Sequence, residues 1–290
     1  MANVCYNTPM ESVEVKAYAK INLTLYILGV EKGYHMLDSL VASVDLYDKI
    51  ILKKRSDRRI CLTMHGLGSE DIPPESNNAV RAGKLFVERF QSGGADIEIY
   101  KNIPMGAGLG GSSADSAGVL NGLAKLYEID DVASIKQIAD MTGSDTRYML
   151  SGGWARLFGR GDRVKEIDGK LGAHIALLVP DESVSTAKCY SLFDEAGKVG
   201  GNSDDAEQAV KRGDIKGLAG CLCNALTGPA TSLSGEIQRC IDELKNSAPL
   251  AVNMTGSGSG VYALFENKQE CINALSRYKG KARAYILEVI

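Results

Sequence analysis

The chain has no long apolar run: nothing in its 290 residues approaches the ~20 consecutive apolar positions of a membrane-spanning helix, which excludes a helical membrane protein. It also lacks a strong charge of either sign. With a net charge of −3 and a pI near 5.8, nothing draws the whole molecule toward nucleic acid or an anionic membrane, although a local basic pocket is compatible with that balance. Seven cysteines (Cys5, Cys61, Cys189, Cys221, Cys223, Cys240, Cys271) are an odd number, scattered, without a Cys-x-x-Cys pair or histidines at ligand spacing. They argue against a disulfide framework or a structural zinc site and read as reduced thiols, with Cys221-Leu-Cys223 as ordinary helix surface and core. The segment from Met1 to Met10 lacks the basic and apolar regions of a secretion signal, so the expected location is the cytoplasm. No internal repeat or low-complexity tract is present.

What remains is an ordinary globular composition, 44% hydrophobic and 24% charged, long enough for one large or two medium domains. Such a chain buries about three quarters of its unfolded surface and needs no covalent staple. Its most informative stretch is Pro104-Met-Gly-Ala-Gly-Leu-Gly-Gly-Ser-Ser-Ala-Asp115. Gly106, Gly108, Gly110 and Gly111 let backbone amides approach an anion, and Ser112 or Ser113 is placed to cap a following helix whose apolar face carries Ala117, Leu120, Leu123 and Ala124. An oxyanion at that helix start meets free amides and the positive end of a helix dipole.

Two familiar glycine motifs match only in spacing. A dinucleotide fingerprint needs a buried parallel strand before the glycines and another strand after the helix. Here Ile97–Lys101 alternates like a half-exposed antiparallel strand, and Val132–Met141 is helical. A P-loop needs Lys-Ser/Thr after its last glycine, where this chain has Ser112-Ser113, so a cation for the terminal phosphate has to come from elsewhere.

Strand signals cover Val13–Ala17, Leu23–Ile27, Asp48–Lys53 and Arg59–Thr63, and helix signals Asn78–Phe90, the glycine-loop helix and Val132–Met141. A hairpin around Gly152–Phe158 and the Gly161-Asp162 turn leads to a strand at His174–Val179. Helices follow at Ala187–Asp194, Asp204–Lys211, Ile215–Leu226 and Leu233–Leu244. The tail reads strand Leu250–Asn253, glycine turn, strand Val261–Phe265, helix Gln269–Tyr278 and strand Ala282–Glu288. The order gives an α+β chain of two domains: residues 1–180, carrying the phosphate loop, and a ferredoxin-like α+β domain at 181–290. Gly197–Ser203 is the more flexible-looking segment near that division.

Three further pieces are ambiguous alone. Met254-Thr-Gly-Ser-Gly-Ser-Gly260 is a tight hairpin or a close backbone contact with a ligand. Taken alone, Lys20 within Ala19-Lys-Ile-Asn22 reads more safely as a solvated lysine, and Asp145 within Gly143-Ser-Asp-Thr146 as a helix cap.

Taken in order, Ala19-Lys-Ile-Asn-Leu23, Gly33-Tyr-His35, Asn78-x-x-x-Ala82, the 104–115 loop, Gly143-Ser-Asp145 and Thr255-Gly-Ser-Gly258 resemble the superfamily of galactokinase, homoserine kinase, mevalonate kinase and phosphomevalonate kinase over nearly the whole chain. The Lys-Ile-Asn and Gly-Tyr-His pieces resemble the family that uses ATP to phosphorylate the 2-hydroxyl of 4-diphosphocytidyl-2-C-methyl-D-erythritol, on the methylerythritol route to isoprenoid precursors. The resemblance implies an ATP and Mg²⁺ dependent kinase whose partner is a cytidine-diphosphate-linked alcohol, with no nucleic acid or membrane, working as a monomer or weak homodimer. It implies that Asp145 orients or deprotonates the hydroxyl, that Lys20 keeps Asp145 ionised and that Asn22 places the substrate. It further implies that the loop (Pro104, Gly106, Gly108, Gly110, Gly111, Ser112, Ser113) wraps the ATP phosphates, Ser113 also touching Mg²⁺, with Asn78 and Lys101 on the adenosine side. Tyr34, His35 and Tyr190 then hold the cytosine, stacked between Tyr34 and Tyr190, and Thr255, Gly256, Ser257 and Gly258 contact substrate. For Asn78 a helix cap, for Lys101 a solvated strand lysine and for Tyr190 a half-buried helix tyrosine are the plainer alternatives.

The pattern departs from that family at two places. Thr146-Arg147-Tyr148 replaces a Val-Pro apolar continuation, which leaves Arg147 either facing solvent or bringing a cation to a substrate phosphate. Ser112 stands where a third consecutive glycine is common. The backbone cradle is expected to survive the serine. The acceptor alcohol is less firmly specified, and either a kinase for another small alcohol or a non-catalytic nucleotide-binding regulator could use the same scaffold.

Overall fold

A computed structural model describes residues 11–67, 76–169, 171–196 and 200–290. Met1–Met10 with Cys5, and positions 197–199 of the flexible-looking segment, lie outside the described residues. Strands β1 (Ser12–Asn22), β2 (Thr24–Glu31), β3 (Tyr34–Lys54) and β4 (Ile60–Gly66) precede helix α1 (Asn78–Phe90) and strand β5 (Ala95–Lys101). Helices α2 (Gly111–Leu126), α3 (Val132–Thr142) and α4 (Thr146–Met149) lead to strands β6 (Trp154–Gly159), β7 (Arg163–Glu166) and β8 (His174–Val179). Then come α5 (Thr186–Ala196), α6 (Asp204–Arg212), α7 (Ile215–Gly220), β9 (Cys223–Asn224), α8 (Thr227–Leu233) and α9 (Gly235–Lys245). Strands β10 (Ala251–Met254) and β11 (Val261–Phe265), helix α10 (Lys268–Arg277) and strand β12 (Arg283–Glu288) complete the chain.

Strand β3 is the spine of the larger sheet, pairing with β1, β2, β5 and β6, while β4 adds in parallel to β5. The second sheet is antiparallel, in the order β10-β11-β8-β12. The α+β architecture is the one expected. Strand β8 ends at Val179, next to the expected division at Pro180, and pairs with β11 and β12 of the second sheet. The two sheets share a core: Ile50, Leu120 and Leu123 belong to the same buried cluster as Ile175, Leu177 and Leu264.

Helix α2 lies flat on the spine because of Gly118 and Gly122. A Cβ at Gly118 would come within 2.6 Å of Ile50 Cδ1, and one at Gly122 within 2.4 Å of Leu52 Cδ1. Glycines four apart form one smooth stripe on a helix, and β-branched and leucine side chains of the strand fill it. The expected face of Ala117, Leu120 and Leu123 is buried, but so are Ala114, Asp115, Ser116, Val119 and Leu126, so the helix is enclosed nearly all round.

One expected helix is corrected. Ile215–Leu226 stops at Gly220, and Cys223–Asn224 turns into a short strand parallel to β2, with Ala225 N bonded to Leu25 O at 2.9 Å. The edge of β2 offers free backbone groups there, and pairing with them outweighs another half turn of helix.

Candidate active site

The phosphate loop runs from β5 into α2. Gly106, Gly108 and Gly110 all have positive φ (68°, 73° and 74°), and Gly110 is the N-cap residue. Neither Ser112 nor Ser113 caps the helix, which corrects the expected capping role: no side chain bonds the helix start. The first helical bond runs from Ala114 N to Gly110 O at 2.9 Å, so the amides of Gly111, Ser112 and Ser113 are the orphan donors of the helix start. That arrangement suits an anion better than a capped helix does.

The second glycine turn is part of the same structure. A Cβ on Gly108 would lie 2.0 Å from Thr255 O, and one on Gly256 2.9 Å from Gly108 Cα. Thr255 Oγ1 donates to Gly108 O at 3.1 Å, and Ser259 N donates to Gly106 O at 3.1 Å. Two backbones pass so closely that only glycine fits, so this turn positions the loop rather than closing an isolated hairpin.

Strand β1 reaches the site with a register shift between Tyr18 and Lys20, and Lys20 N bonds Leu109 O of the loop at 3.0 Å. A bulge of this kind re-aims a side chain. The buried Lys20 ammonium lies 3.4 Å from Asp145 Oδ2 and donates to Asn22 Oδ1 at 2.5 Å. Asp145 occupies the N-cap position of α4 but makes no capping bond, so its carboxylate is open to other chemistry. Asn22 is fully committed: its Oδ1 also accepts from Gly256 N at 3.0 Å, and its Nδ2 donates to Ser39 Oγ at 2.8 Å.

Two cavities meet at the loop. One of about 270 Å³ is lined by Asn77, Asn78, Lys101, the 103–112 loop and Asp115. The other, of about 360 Å³, is lined by Lys20, Asn22, Ser39, Asp145, Arg160, Tyr190 and the 256–258 turn. Gly106, Gly108 and Gly110 line both cavities, with Asn78 and Lys101 in the first lining and Lys20, Asn22, Asp145 and Tyr190 in the second.

Individual residues refine the expectations. Asn78 is not the helix cap: Asn77 caps α1 by accepting from Ala79 N at 2.8 Å, and Asn78 Nδ2 donates to Ser112 Oγ at 3.0 Å. Lys101 is not solvated. It is buried, bonded to Asp48 and, at 2.6 Å, to Asp115 Oδ2, while Asp48 Oδ1 accepts from Asn102 N and Ile103 N at the loop entry. Burial pulls the Lys101 pKa down, but the charges of Asp115 and Asp48 outweigh it and raise it overall. Burial pushes the Asp115 carboxyl up to about 7 against the pull of the Lys101 charge.

The aromatic platform is arranged differently from the expected Tyr34–Tyr190 sandwich. His35 stacks on Tyr190, with ring centroids 4.4 Å apart at 30°, and its Nε2 bonds Asp194 Oδ1 at 2.8 Å. Tyr34 is exposed, with the Arg160 guanidinium over its ring at 4.8 Å. Tyr190 is half-buried, and burial, followed by the Asp145 charge, pushes its phenol up to about 12. Arg147 forms a two-bond pair with Asp140 at 2.5 and 2.6 Å and lines neither cavity, so the cation of the departing segment is directed elsewhere.

Sequence reasoning missed Ser39, Asp48, Asp115 and Arg160. Asp115 could have been found, since it is the one charged residue among the small and apolar residues that open α2, and a buried carboxylate there needs a cation. Ser39 lies in the half of β3 that gave no strand signal, whereas Asp48 opens a stretch that did, and what the sequence hides is its pairing with Lys101.

Among the described residues no group of three or more His, Cys, Asp or Glu side chains could hold a metal. A nucleotide-borne Mg²⁺ asks for less, because it keeps several waters and takes one or two protein oxygens beside the phosphates. Thr146 Oγ1 is buried without a hydrogen-bond partner, and a Cβ at Gly143 would lie 2.9 Å from it and 3.0 Å from Ser113 Oγ. Ser113 and Thr146 thus offer neighbouring hard oxygens that fit such an ion.

A glycine loop opening a helix, a lysine–aspartate pair beside it and two cavities sharing that loop are the features of a small-molecule kinase. Residues 77–154 match the family described as GHMP kinases N terminal domain, and residues 206–282 match GHMP kinases C terminal. The chain is 36% identical over 281 residues to the 4-diphosphocytidyl-2-C-methyl-D-erythritol kinase of Caldicellulosiruptor saccharolyticus, covering 95% of this chain and 94% of the relative. The enzyme of the same name from Caldicellulosiruptor bescii is 35% identical, covering 96% of both. A crystal structure of a 4-(cytidine 5'-diphospho)-2C-methyl-D-erythritol kinase superposes with a TM-score of 0.77 at 31% identity, covering 95% of this chain and 99% of that one. The chain belongs to the 4-diphosphocytidyl-2-C-methyl-D-erythritol kinase family and is an ATP-dependent kinase.

Proposed function

We propose that the protein transfers the terminal phosphoryl group of ATP to the 2-hydroxyl of 4-diphosphocytidyl-2-C-methyl-D-erythritol, a step toward isoprenoid precursors. The observation that carries this reading is the Lys20–Asp145 pair, 3.4 Å apart, on the acceptor side of the phosphate loop. Phosphoryl transfer needs positioning and charge stabilisation more than covalent chemistry. In this reading Asp145 orients the hydroxyl and accepts its proton, while Lys20 holds Asp145 ionised and stabilises the developing alkoxide. Asn22 and the turn of Thr255, Gly256, Ser257 and Gly258 fix Lys20 and the loop.

On the donor side, the orphan amides of Gly111, Ser112 and Ser113 receive the phosphates, with Asn78 and Lys101 flanking the nucleotide. Ser113 and Thr146 would hold Mg²⁺, which neutralises phosphate charge when bound. Tyr34, His35 and Tyr190 offer aromatic faces for the cytosine. Incubation with ATP, Mg²⁺ and a panel of alcohols, followed by phosphorus NMR, tests the assignment. The expected product is the 2-phosphate of the nucleotide-linked alcohol. Phosphorylation of another acceptor, with none of that product, overturns it.

A further inference from the structure

We infer that Arg160 is a specificity residue that recognises the diphosphate bridge of the acceptor. The inference rests on the functional reading above and goes beyond it by assigning a residue to the anionic middle of the substrate.

Arg160 sits at the tip of the β6–β7 turn, between Gly159 and Gly161, both at positive φ (66° and 95°). The turn abuts the reacting centre: a Cβ at Gly161 would lie 3.6 Å from Asp145 Oδ1. From there the side chain extends to Tyr34, placing its guanidinium over the ring at 4.8 Å. Arg160 thus spans the interval between the carboxylate proposed to meet the hydroxyl and the aromatic platform proposed to hold the base. A nucleoside-diphosphate-linked alcohol places its two phosphates in that interval.

The linings agree. Arg160 belongs to the cavity that holds Lys20 and Asp145 and to the neighbouring cavity of about 400 Å³ that holds Tyr34, His35 and Tyr190. Among the described residues it is the one Lys or Arg common to both linings. The surroundings carry Asp145, Asp162 and Asp194, so a substrate with a charged bridge needs a cation there. Lys20 is engaged with Asp145, and Arg147 is paired with Asp140. Arg160 is the least tightly held of the three: it is 49% exposed, and its ion pair with Asp162 Oδ2 is long, at 3.8 Å. A guanidinium resting on an aromatic face keeps its in-plane N–H groups free, and its fork matches phosphate oxygens.

The test compares Arg160→Met and Arg160→Lys with the unmodified protein. Calorimetric titration with cytidine and with cytidine diphosphate measures what the bridge contributes. The unmodified protein is expected to bind the diphosphate about 10-fold or more tightly than the nucleoside, a margin that falls with salt. Arg160→Met loses most of that margin while cytidine binding stays the same, and Arg160→Lys keeps part of it. In turnover, Arg160→Met raises KM for the nucleotide-linked alcohol about 10-fold with kcat and KM for ATP nearly unchanged. An unmodified protein that binds both ligands equally, or a methionine variant that keeps the margin, overturns the proposal. If the unmodified protein binds the diphosphate but phosphorylates no such alcohol, the functional reading fails while the titration still decides Arg160. Equal melting temperatures for the variants separate recognition from folding.

Discussion

At the residue scale the site is an arrangement of unambiguous hydrogen-bond roles. Asn22 must present its oxygen to Lys20 and Gly256 N, because its nitrogen faces Ser39 Oγ, which in turn donates to Thr24 O at 2.5 Å. Ser39 has no second way to satisfy both neighbours, so its hydroxyl fixes which way the Asn22 amide points. Ser39→Ala is expected to leave a buried Asn22 donor unpaired, at a cost of about 1–3 kcal/mol, and to lower kcat about 10-fold as Lys20 loses its orientation. Ser39→Thr, which keeps the hydroxyl, restores turnover, whereas equal kcat for the alanine and unmodified proteins excludes the relay. Asp145→Asn addresses the chemistry itself. Loss of general-base catalysis predicts a fall in kcat of about 10²–10⁴ with KM for ATP little changed. Single-turnover kinetics check this, and an active Asp145→Asn protein leaves positioning and the metal to do the work.

At the element scale the decisive contact is between two loops distant in sequence. Gly108 has a φ of 73°, and its would-be Cβ falls 2.0 Å from Thr255 O. Gly108→Ala therefore meets both backbone strain and a main-chain clash, and is expected to cost more than about 2 kcal/mol of stability and to raise KM for ATP. Gly220→Ala is the control, since nothing lies within 4 Å of its added carbon. A thermal melt and an ATP titration on both variants check the difference. The loop, its helix and most strands were legible in the sequence because their signals are local: glycine spacing, apolar period and turn residues. The first half of β3 was not. Ser39–Val44 is buried on both faces, so it shows no alternation, and the polar side chains of Asp38, Ser39 and Ser43 interrupt its apolar run. Likewise the partners of Lys101 come from Asp48 and Asp115, 53 and 14 residues away, a pairing that no window of sequence reveals. The resemblance placed Tyr34, His35 and Tyr190 in one region, but not that His35 would be the ring stacked on Tyr190.

At the scale of the whole molecule, two charge clusters have opposite consequences for stability against pH. Arg156 is buried on β6 and holds Asp38 of β3 through two bonds, at 2.8 and 2.5 Å, while reaching Asp204 and Glu207 of α6. It thereby ties the carboxy-terminal half to the spine of the larger sheet. Burial alone would raise the Glu207 pKa, but hydrogen bonds from Lys165, Lys211 and Arg156 outweigh it and hold the carboxyl at about 2. Because the folded value lies below the unfolded one, this contribution is fully present above pH 4.5 and is lost as pH falls through 2. Asp115 has the reverse sign. Its folded value, raised to about 7 by burial, exceeds its ordinary 3.8, so its contribution is present below pH 3.8 and is lost as pH rises through 7. The lost contribution reflects an orphaned Oδ1 and a second carboxylate, Asp48, sharing one lysine. Melting temperature is therefore expected to decline between pH 4 and 8 beyond what exposed groups produce. Asp115→Asn removes the proton and flattens that limb while leaving the acid limb intact. Glu207→Gln does the opposite: it flattens the acid limb and lowers the melting temperature at pH 7 by about 3–10 °C, the equivalent of roughly 1–3 kcal/mol in a chain of this size. Calorimetric melts of the three proteins from pH 3 to 8 decide it, and an Asp115→Asn protein with the unmodified slope above pH 4 shows that the buried carboxyl does not titrate in that range.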